Sequence, residues 1–339
     1  MIDFFVSITE HFSDPRKRVF LGYIVLSIII ALIWLLTKKK LSLKDSLKYV
    51  FNKSILFSKS SRSDFKLFFL NRIFLMFVSP LLITQLAIAT VIYHFLDSIY
   101  WLDFGMFVQT PKFILISAFT TFVFILDDFT KFIIHRWMHK WPILWSLHKV
   151  HHSATTLTPL TIYRTHPLEG VLFILRGSFA QGVSISLFVF LFGNSVDIYT
   201  ILGVNIIVFM FNALGANLRH SHIGIQYWKW LEYILISPAQ HQLHHSVAEK
   251  HYDKNFGATL AVWDWLFGSL SHSENIDNLN LGILSENYAN PHKITVLYLQ
   301  PLIEINSIIV KKLKQLVYFF SKFRKMSDQK YLKNNSSNK

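Results

Sequence analysis

Five long apolar segments divide the chain. Each is close to 20 mostly apolar residues, the length that an α-helix needs to cross the hydrocarbon core of a bilayer. Arg176 in the fourth segment and Asp197 in the fifth would each need a partner there, because a charge is costly inside a membrane. The pattern predicts an all-α, multi-pass membrane protein with about five hydrophobic spans. The spans are Phe20 to Thr37, Ile73 to Phe95, Phe113 to Ile134, Val171 to Phe192 and Val196 to Leu218.

Composition and charge support a membrane location. The chain of 339 residues is 52% hydrophobic and only 16% charged, and its mean hydropathy is positive, which is unusual for a soluble protein. The net charge of +14 is concentrated. Lys38 to Arg72 holds ten Lys or Arg against two Asp, and Lys311 to Lys339 holds nine against one. This distribution favours cytoplasmic segments over a nucleic-acid site, although Arg16 to Arg18 would then lie on the opposite side.

Eleven of the sixteen histidines fall between His135 and His245. Eight of them form clusters with helical spacing, in which residues three and four apart share one face of a helix. Each cluster is therefore expected to present its imidazoles in one direction, as metal ligands require. Because the clusters follow the third and fifth spans, all three are expected on one side of the membrane. They are His135 and His139; His148, His151 and His152; and His241, His244 and His245.

Several cofactor classes are excluded because the sequence lacks the residues or motifs that bind them. The chain has no cysteine, so it supplies no thiolate for an iron–sulfur cluster or a haem. No glycine-rich nucleotide or flavin motif is present either. Eight imidazoles exceed the needs of one tetrahedral zinc and suit two transition-metal ions, with iron, zinc and copper all compatible. A membrane zinc hydrolase and a bis-histidine haem protein remain alternatives, and a redox iron site would need electrons from a partner.

Five sequence blocks resemble the fatty acid hydroxylase and sterol desaturase superfamily. The first two histidine boxes are similar to His135 to His139 (HRWMH) and Leu144 to Ser153 (LWSLHKVHHS). The third box is similar to Ser237 to Ser246 (SPAQHQLHHS), followed by Asn255 to Gly257 (NFG) and Trp263 to Gly268 (WDWLFG). The resemblance covers roughly residues 113 to 272.

This resemblance implies a membrane di-iron oxygenase. Its histidine boxes would hold two iron ions on the cytoplasmic face, with O2 as co-substrate and an external reductase, ferredoxin or cytochrome as electron donor. The implied reaction is hydroxylation or desaturation at an unactivated C–H position of a lipid. The substrate would be a sterol, fatty acyl chain, carotenoid or alkylglycerol.

The resemblance also concerns three further histidines. Family members usually carry another ligand between the fifth span and the third box, and His220 aligns with it. His222 stands where the family more often has Asn, so it is a possible additional ligand or a hydrogen-bond partner of one. His166, before Pro167, resembles a family motif, but a histidine at a helix start is the simpler interpretation.

Asp128 is a candidate partner for a ligating histidine. At 100° per residue, His135 and His139 are seven and eleven steps from it, so the three lie on one helical stripe. A carboxylate commonly accepts the second ring N–H of a metal-bound imidazole. The alternatives are pairing with Lys131, extension of the carboxylate to the membrane interface, and a hydrogen bond to a histidine of another helix.

Three regions follow from these features. Residues 1–112 are expected to form N-terminal membrane helices and a basic cytoplasmic loop, and residues 113–272 the di-iron catalytic domain. Residues 273–339 are expected to form a basic amphipathic segment and a disordered tail. The protein is predicted to be integral to a bacterial inner membrane or the endoplasmic reticulum, with a lipid substrate, no nucleic-acid partner and its histidine clusters facing the cytoplasm. The sequence leaves the oligomeric state open.

Overall fold

The computed structural model describes residues 2–197, 200–201, 203, 205–273, 279–284 and 290–336. These residues form helices and loops with two isolated bridges and no strand, which confirms the all-α prediction. We number the α-helices in chain order. They are α1 (Ile2–Ser13), α2 (Leu21–Thr37), α3 (Leu43–Val50), α4 (Lys53–Leu56), α5 (Lys59–Val78), α6 (Gln85–Asp97), α7 (Lys112–Lys140), α8 (Pro142–His152), α9 (Pro167–Phe192), α10 (Ile206–Ala213), α11 (Pro238–His244), α12 (Val262–Leu266) and α13 (Ile294–Ser336).

Four helical stretches are long and apolar enough to cross a membrane, which indicates an integral membrane protein. Three of them contain the predicted second, third and fourth spans. The fourth, in α13, was predicted only as an amphipathic segment; α13 also continues to Ser336, through most of the tail predicted to be disordered. The stretches are Lys59–Asp97, Lys112–Lys140, Pro167–Ser195 and Ile294–Lys322.

The predicted fifth span, Val196 to Leu218, is not one continuous helix. Residues 198, 199, 202 and 204 lie outside the described part, and α10 occupies only eight of the remaining residues. Polar side chains interrupt the apolar run: Asp197 pairs with Lys112 at 2.7 Å, and Asn205 caps α10 while donating to the carbonyl of Thr120. Gly215 then ends the helix with a φ of 93°, a conformation that favours glycine.

The predicted first span is the 17-residue helix α2, which is shorter than the four long stretches. Arg18, just before α2, donates hydrogen bonds to Ala216 and Asn217. Leu35, near the other end, belongs to a core cluster with Leu218. Arg18 therefore lies beside the segment that carries His220, and residues of α2 share an apolar cluster with the same segment. The side of the membrane on which Arg18 lies stays a prediction.

A sharp turn between α7 and α8 folds the first two histidine clusters together. Trp141 is extended at this point, with a φ of −104° and a ψ of 119°, and Pro142 opens α8. Proline suits the first position of a helix because its fixed φ is already helical and the N–H it lacks would have no partner there. The two helices consequently pack side by side.

A buried ion pair fixes the end of α8. The side chain of Arg164 is fully buried and donates to the carbonyl of Val150, to Ser153 Oγ and to Asp64 Oδ1 on α5. Breaking such a pair on one side leaves an uncompensated buried charge, so the pair is expected to hold the end of α8 firmly. That end carries His151 and His152.

Candidate metal centre

Nine predicted ligands come together in two groups. Within each group, one ring nitrogen from every imidazole lies within 4.8 Å of the others. Seven of the nine residues are buried, and His135 and His139 are partly buried. The first group is His135, His139, His148, His152 and His244, and the second group is His151, His220, His241 and His245.

The two groups divide the histidine boxes in a way that differs from the sequence prediction. On α8, His148 and His152 are four residues apart and face the first group, whereas His151 faces the second. At the end of α11, His241 and His245 face the second group and His244 faces the first. The expectation that each cluster points in one direction therefore holds for His135 and His139 and is wrong for the other two clusters. Adjacent helical residues are 100° apart, so each box of this form serves both groups.

Hydrogen bonds fix three rings of the first group. His135 Nδ1 donates to the carbonyl of Phe256 at 2.7 Å, and His244 Nδ1 donates to the carbonyl of Lys254 at 2.7 Å. His148 Nδ1 donates to Glu169 Oε1 at 2.8 Å. Because these acceptors are oxygens, Nδ1 carries the proton in each ring, and Nε2 presents its lone pair to the group.

The geometry of these lone pairs fits a bound cation. His135 Nε2 and His244 Nε2 are 3.0 Å apart, and two lone pairs at that distance repel each other unless a positive ion lies between them. Several other buried ring nitrogens have no hydrogen-bond partner in the described residues. They are Nε2 of His139, His148 and His152, Nδ1 of His151 and His241, and both ring nitrogens of His245. The donor set is therefore suited to metal ions that prefer imidazole.

Burial keeps these imidazoles neutral, which is the form that binds a metal. Burial lowers the pKa of His148 to about 3 and, together with the neighbouring His148, lowers the pKa of His151 to about 4. The pKa values of His220 and His244 also fall well below the usual value, mainly because of burial and then because of nearby histidines. Protonation of these rings is therefore unfavourable, and protons compete weakly with a metal ion for their lone pairs.

His166 and His222 lie outside both groups. His166 caps α9, where its Nδ1 accepts the amide of Leu168 and its Nε2 donates to the carbonyl of Tyr298 at 3.1 Å. This is the helix-start arrangement that the sequence offered as the alternative to ligation. His222 Nε2 donates to the carbonyl of Tyr49 at 2.8 Å, whereas His220 faces the second group.

Among the described residues, Asp128 forms no hydrogen bond with an imidazole, contrary to prediction, and no ion pair with Lys131. Its buried carboxylate accepts hydrogen bonds from the amides of Thr259 and Leu260 and from the indole of Trp263, at 2.9 to 3.0 Å. His135 on the same helix is two turns away, too far for direct contact. Asp128 instead anchors the loop that follows Phe256, whose carbonyl orients His135.

The sequence prediction missed two carboxylates near the centre. Glu169 is buried and accepts a hydrogen bond from His148 Nδ1, and its second oxygen has no partner in the described residues. Asp264 accepts the amides of Phe256 and Gly257, so it supports the same loop as Asp128. An acid in the first turn of an apolar span was a usable signal for Glu169; Asp264 offered none beyond its place in a family motif.

The comparisons with known proteins agree with this geometry. Residues 120–269 match the fatty acid hydroxylase family. This match confirms the resemblance seen in the sequence, and the matched region contains both histidine groups. Together with the histidine groups, this match indicates a metal site.

Three relatives are similar to the fatty acid hydroxylase region. An ornithine lipid hydroxylase of Rhizobium tropici is 24% identical over 47% of this chain and 44% of its own length. A Delta(7)-sterol 5(6)-desaturase of Eremothecium gossypii is 26% identical over 49% and 41%, and human alkylglycerol monooxygenase is 28% identical over 42% and 28%. The chain thus spans less than half the length of these relatives. No solved structure matches it significantly.

Proposed function

We propose that the protein is a membrane di-iron oxygenase that hydroxylates or desaturates an unactivated C–H position of a lipid. The observation that carries this proposal is the convergence of nine imidazoles into two adjacent groups, in which six rings have a buried nitrogen without a hydrogen-bond partner in the described residues. Two groups suit two metal ions, and the scarcity of other donor types favours a metal that accepts imidazole.

The relatives support the reaction class. The named proteins include a lipid hydroxylase, a sterol desaturase and an alkylglycerol monooxygenase. All three names describe oxidation of lipids, although of different lipid classes. The shared chemistry supports an apolar substrate taken from the bilayer, whereas the choice among sterol, acyl, carotenoid and ether lipid rests on experiment.

The protein's part is to hold the metal ions and control access to them. The first group would hold one ion and the second the other, and bound iron would supply O2 activation with electrons from outside the chain. The carbonyls of Lys254 and Phe256 and the carboxylate of Glu169 orient three ligand rings, which preserves the geometry during turnover.

Aromatic side chains wall the centre. The ring of Phe256 is fully buried, and its centroid lies 5.1 Å from that of His139 and 5.8 Å from that of His244. Trp145 lies 5.1 Å from His139 and 5.5 Å from His152. These rings would limit the access of water to a metal ion held by the first group and would favour an apolar substrate.

The electron donor and the orientation form a second part of the proposal. With no cysteine or flavin motif, the chain needs a separate reductase, ferredoxin or cytochrome. The basic segments Lys38 to Arg72 and Lys311 to Lys339 would face the cytoplasm and could attract an acidic donor. Orientation by the positive-inside rule or binding to anionic lipid would explain the same charge.

Lipid analysis of cells that express the chain tests the proposed reaction. Wild-type protein is expected to produce a hydroxylated or desaturated lipid that is absent from cells carrying the His148→Ala, His244→Ala double variant. The purified protein should contain iron without a Soret band, which separates it from a bis-histidine haem protein. Full lipid oxidation by the double variant would contradict the proposal.

A further inference from the structure

Two arginines meet at one carbonyl beside the second histidine group. Arg18 Nη2 and Arg219 Nε both donate to the carbonyl oxygen of Ala216, and the Arg219 to Ala216 distance is 3.3 Å. Arg18 Nε also donates to Asn217 Oδ1 at 3.1 Å. Two like charges are thus held side by side by residues of one short turn, Ala216–His220, which also carries a predicted ligand.

Neither charge has an ion-pair partner in the described part of the chain, whereas Arg16 nearby pairs with Asp14. The Asp128 carboxylate acts on Arg219 only from beyond ion-pair distance, and the Arg219 guanidinium lies over the ring of Phe211 at 5.1 Å. Arg219 is only 5% exposed, so its charge is poorly solvated. A guanidinium stays protonated in proteins, and two of them in a poorly solvated place repel each other unless an anion lies between them.

A buried donor beside the pair points to the same ligand. Asn217 is 3% exposed, and its Nδ2 has no hydrogen-bond partner among the described residues. Its Oδ1 accepts from Arg18, so the side-chain amide is placed next to the guanidinium groups. An unsatisfied buried donor costs free energy, and an anionic oxygen would satisfy it.

We propose that Arg18, Asn217 and Arg219 form a binding site for an oxyanion, a phosphate or carboxylate. Guanidinium groups suit such ligands because their forked N–H donors match two oxygens at once. The proposal is independent of the oxygenase activity, since it uses none of the nine histidines.

The surroundings favour a lipid head group as the source of the oxyanion. The helix α2 begins three residues after Arg18, and one of its faces presents exposed apolar side chains at intervals of four residues. These residues are Leu21, Val25, Ile29 and Ile33, with exposures of 45% to 57%. A lipid whose tails lie along this face could place its head group at the arginine pair.

Thermal unfolding of the purified, metal-loaded protein tests this site. The probes are dioleoylphosphatidylglycerol, dioleoylphosphatidylcholine and inorganic phosphate, each added to protein in a neutral detergent. Phosphatidylglycerol is expected to raise the unfolding midpoint by roughly 2 to 6 °C at saturation, because a ligand that binds only the folded state stabilises it. The rise should disappear in Arg18→Gln and in Arg219→Gln and persist in Lys17→Gln, which removes a neighbouring charge.

The possible results distinguish a lipid head group from a free oxyanion and show whether the arginines bind either one. A rise with phosphatidylglycerol alone supports a lipid head group, and a similar rise with inorganic phosphate supports a free oxyanion at the same site. No rise in wild type, or equal rises in wild type and both arginine variants, would overturn the proposal. If Arg219→Gln fails to fold, Arg18→Gln decides. Metal content measured on the same samples tests the di-iron proposal separately, so each can fail without the other.

Discussion

Replacement of Asp128 by Asn should lower the metal affinity of the centre, although Asp128 is not one of the nine predicted ligands. The carboxylate accepts three hydrogen bonds, one at Oδ1 from Thr259 and two at Oδ2 from Leu260 and Trp263. Asparagine keeps one oxygen and introduces an NH2 group, which cannot accept. At least one buried donor therefore loses its acceptor and faces a second donor.

The magnitude follows from which oxygen is replaced. A buried donor left without an acceptor costs about 1–3 kcal/mol. Loss of Oδ1 strands one donor and loss of Oδ2 strands two, so the loop is expected to lose about 1–6 kcal/mol of local stability. This loop follows Phe256, whose carbonyl orients His135. Freeing a ligand ring in this way typically lowers metal affinity roughly 10- to 100-fold.

Metal content measured after dialysis against a graded series of chelator concentrations reports this loss. Asp253→Asn is the matched control, because Asp253 lies close to the same loop in an exposed pair with Lys140, and it should retain metal like wild type. Asp127 is a poorer control, since it pairs with Arg176 and Lys131 inside a span. Equal metal retention by Asp128→Asn and Asp253→Asn would refute the reasoning.

Three further predictions concern the orientation of His148, the ligand role of His220 and the supply of electrons. Glu169→Leu should lower metal retention roughly 10- to 100-fold because His148 loses its acceptor, whereas Glu169→Gln keeps an acceptor oxygen and should lose less; equal retention would argue against orientation by Glu169. His220→Ala should lower the metal content, measured by elemental analysis, to about one ion per chain, whereas His222→Ala should keep two ions. The opposite pattern would exchange the roles of these two histidines. Neutralising Lys38, Lys44 and Lys48, which are exposed and lie outside the four long apolar stretches, should slow electron delivery at low salt, and an unchanged rate would favour orientation or lipid binding.

Local spacing predicted the histidine centre well. Eight of the nine imidazoles follow from helical periodicity within short segments, and the ninth, His220, follows from the family resemblance; the structure brings all nine together. Their role as ligands stays a prediction. The same periodicity, applied to each residue rather than to each box, would have separated His151 from His148 and His152.

Features that depend on long-range contacts were not predictable. The fifth apolar run has the length and composition of a span. In the structure, however, its Asp197 accepts a hydrogen bond from Lys112, and its Asn205 donates to the carbonyl of Thr120. Asp128 and His135 do lie on one stripe of the helix. The carboxylate nevertheless accepts hydrogen bonds from loop residues more than 130 positions away in the sequence. Periodicity describes one helix and says nothing about which segment packs against it.

Elemental analysis combined with an absorption spectrum tests the central claim most directly. Purified, active protein is expected to contain two iron ions per chain and no Soret band, because two groups of buried, neutral imidazoles present unpaired lone pairs. At most one metal per chain, or a Soret band that accounts for the iron, would contradict the account.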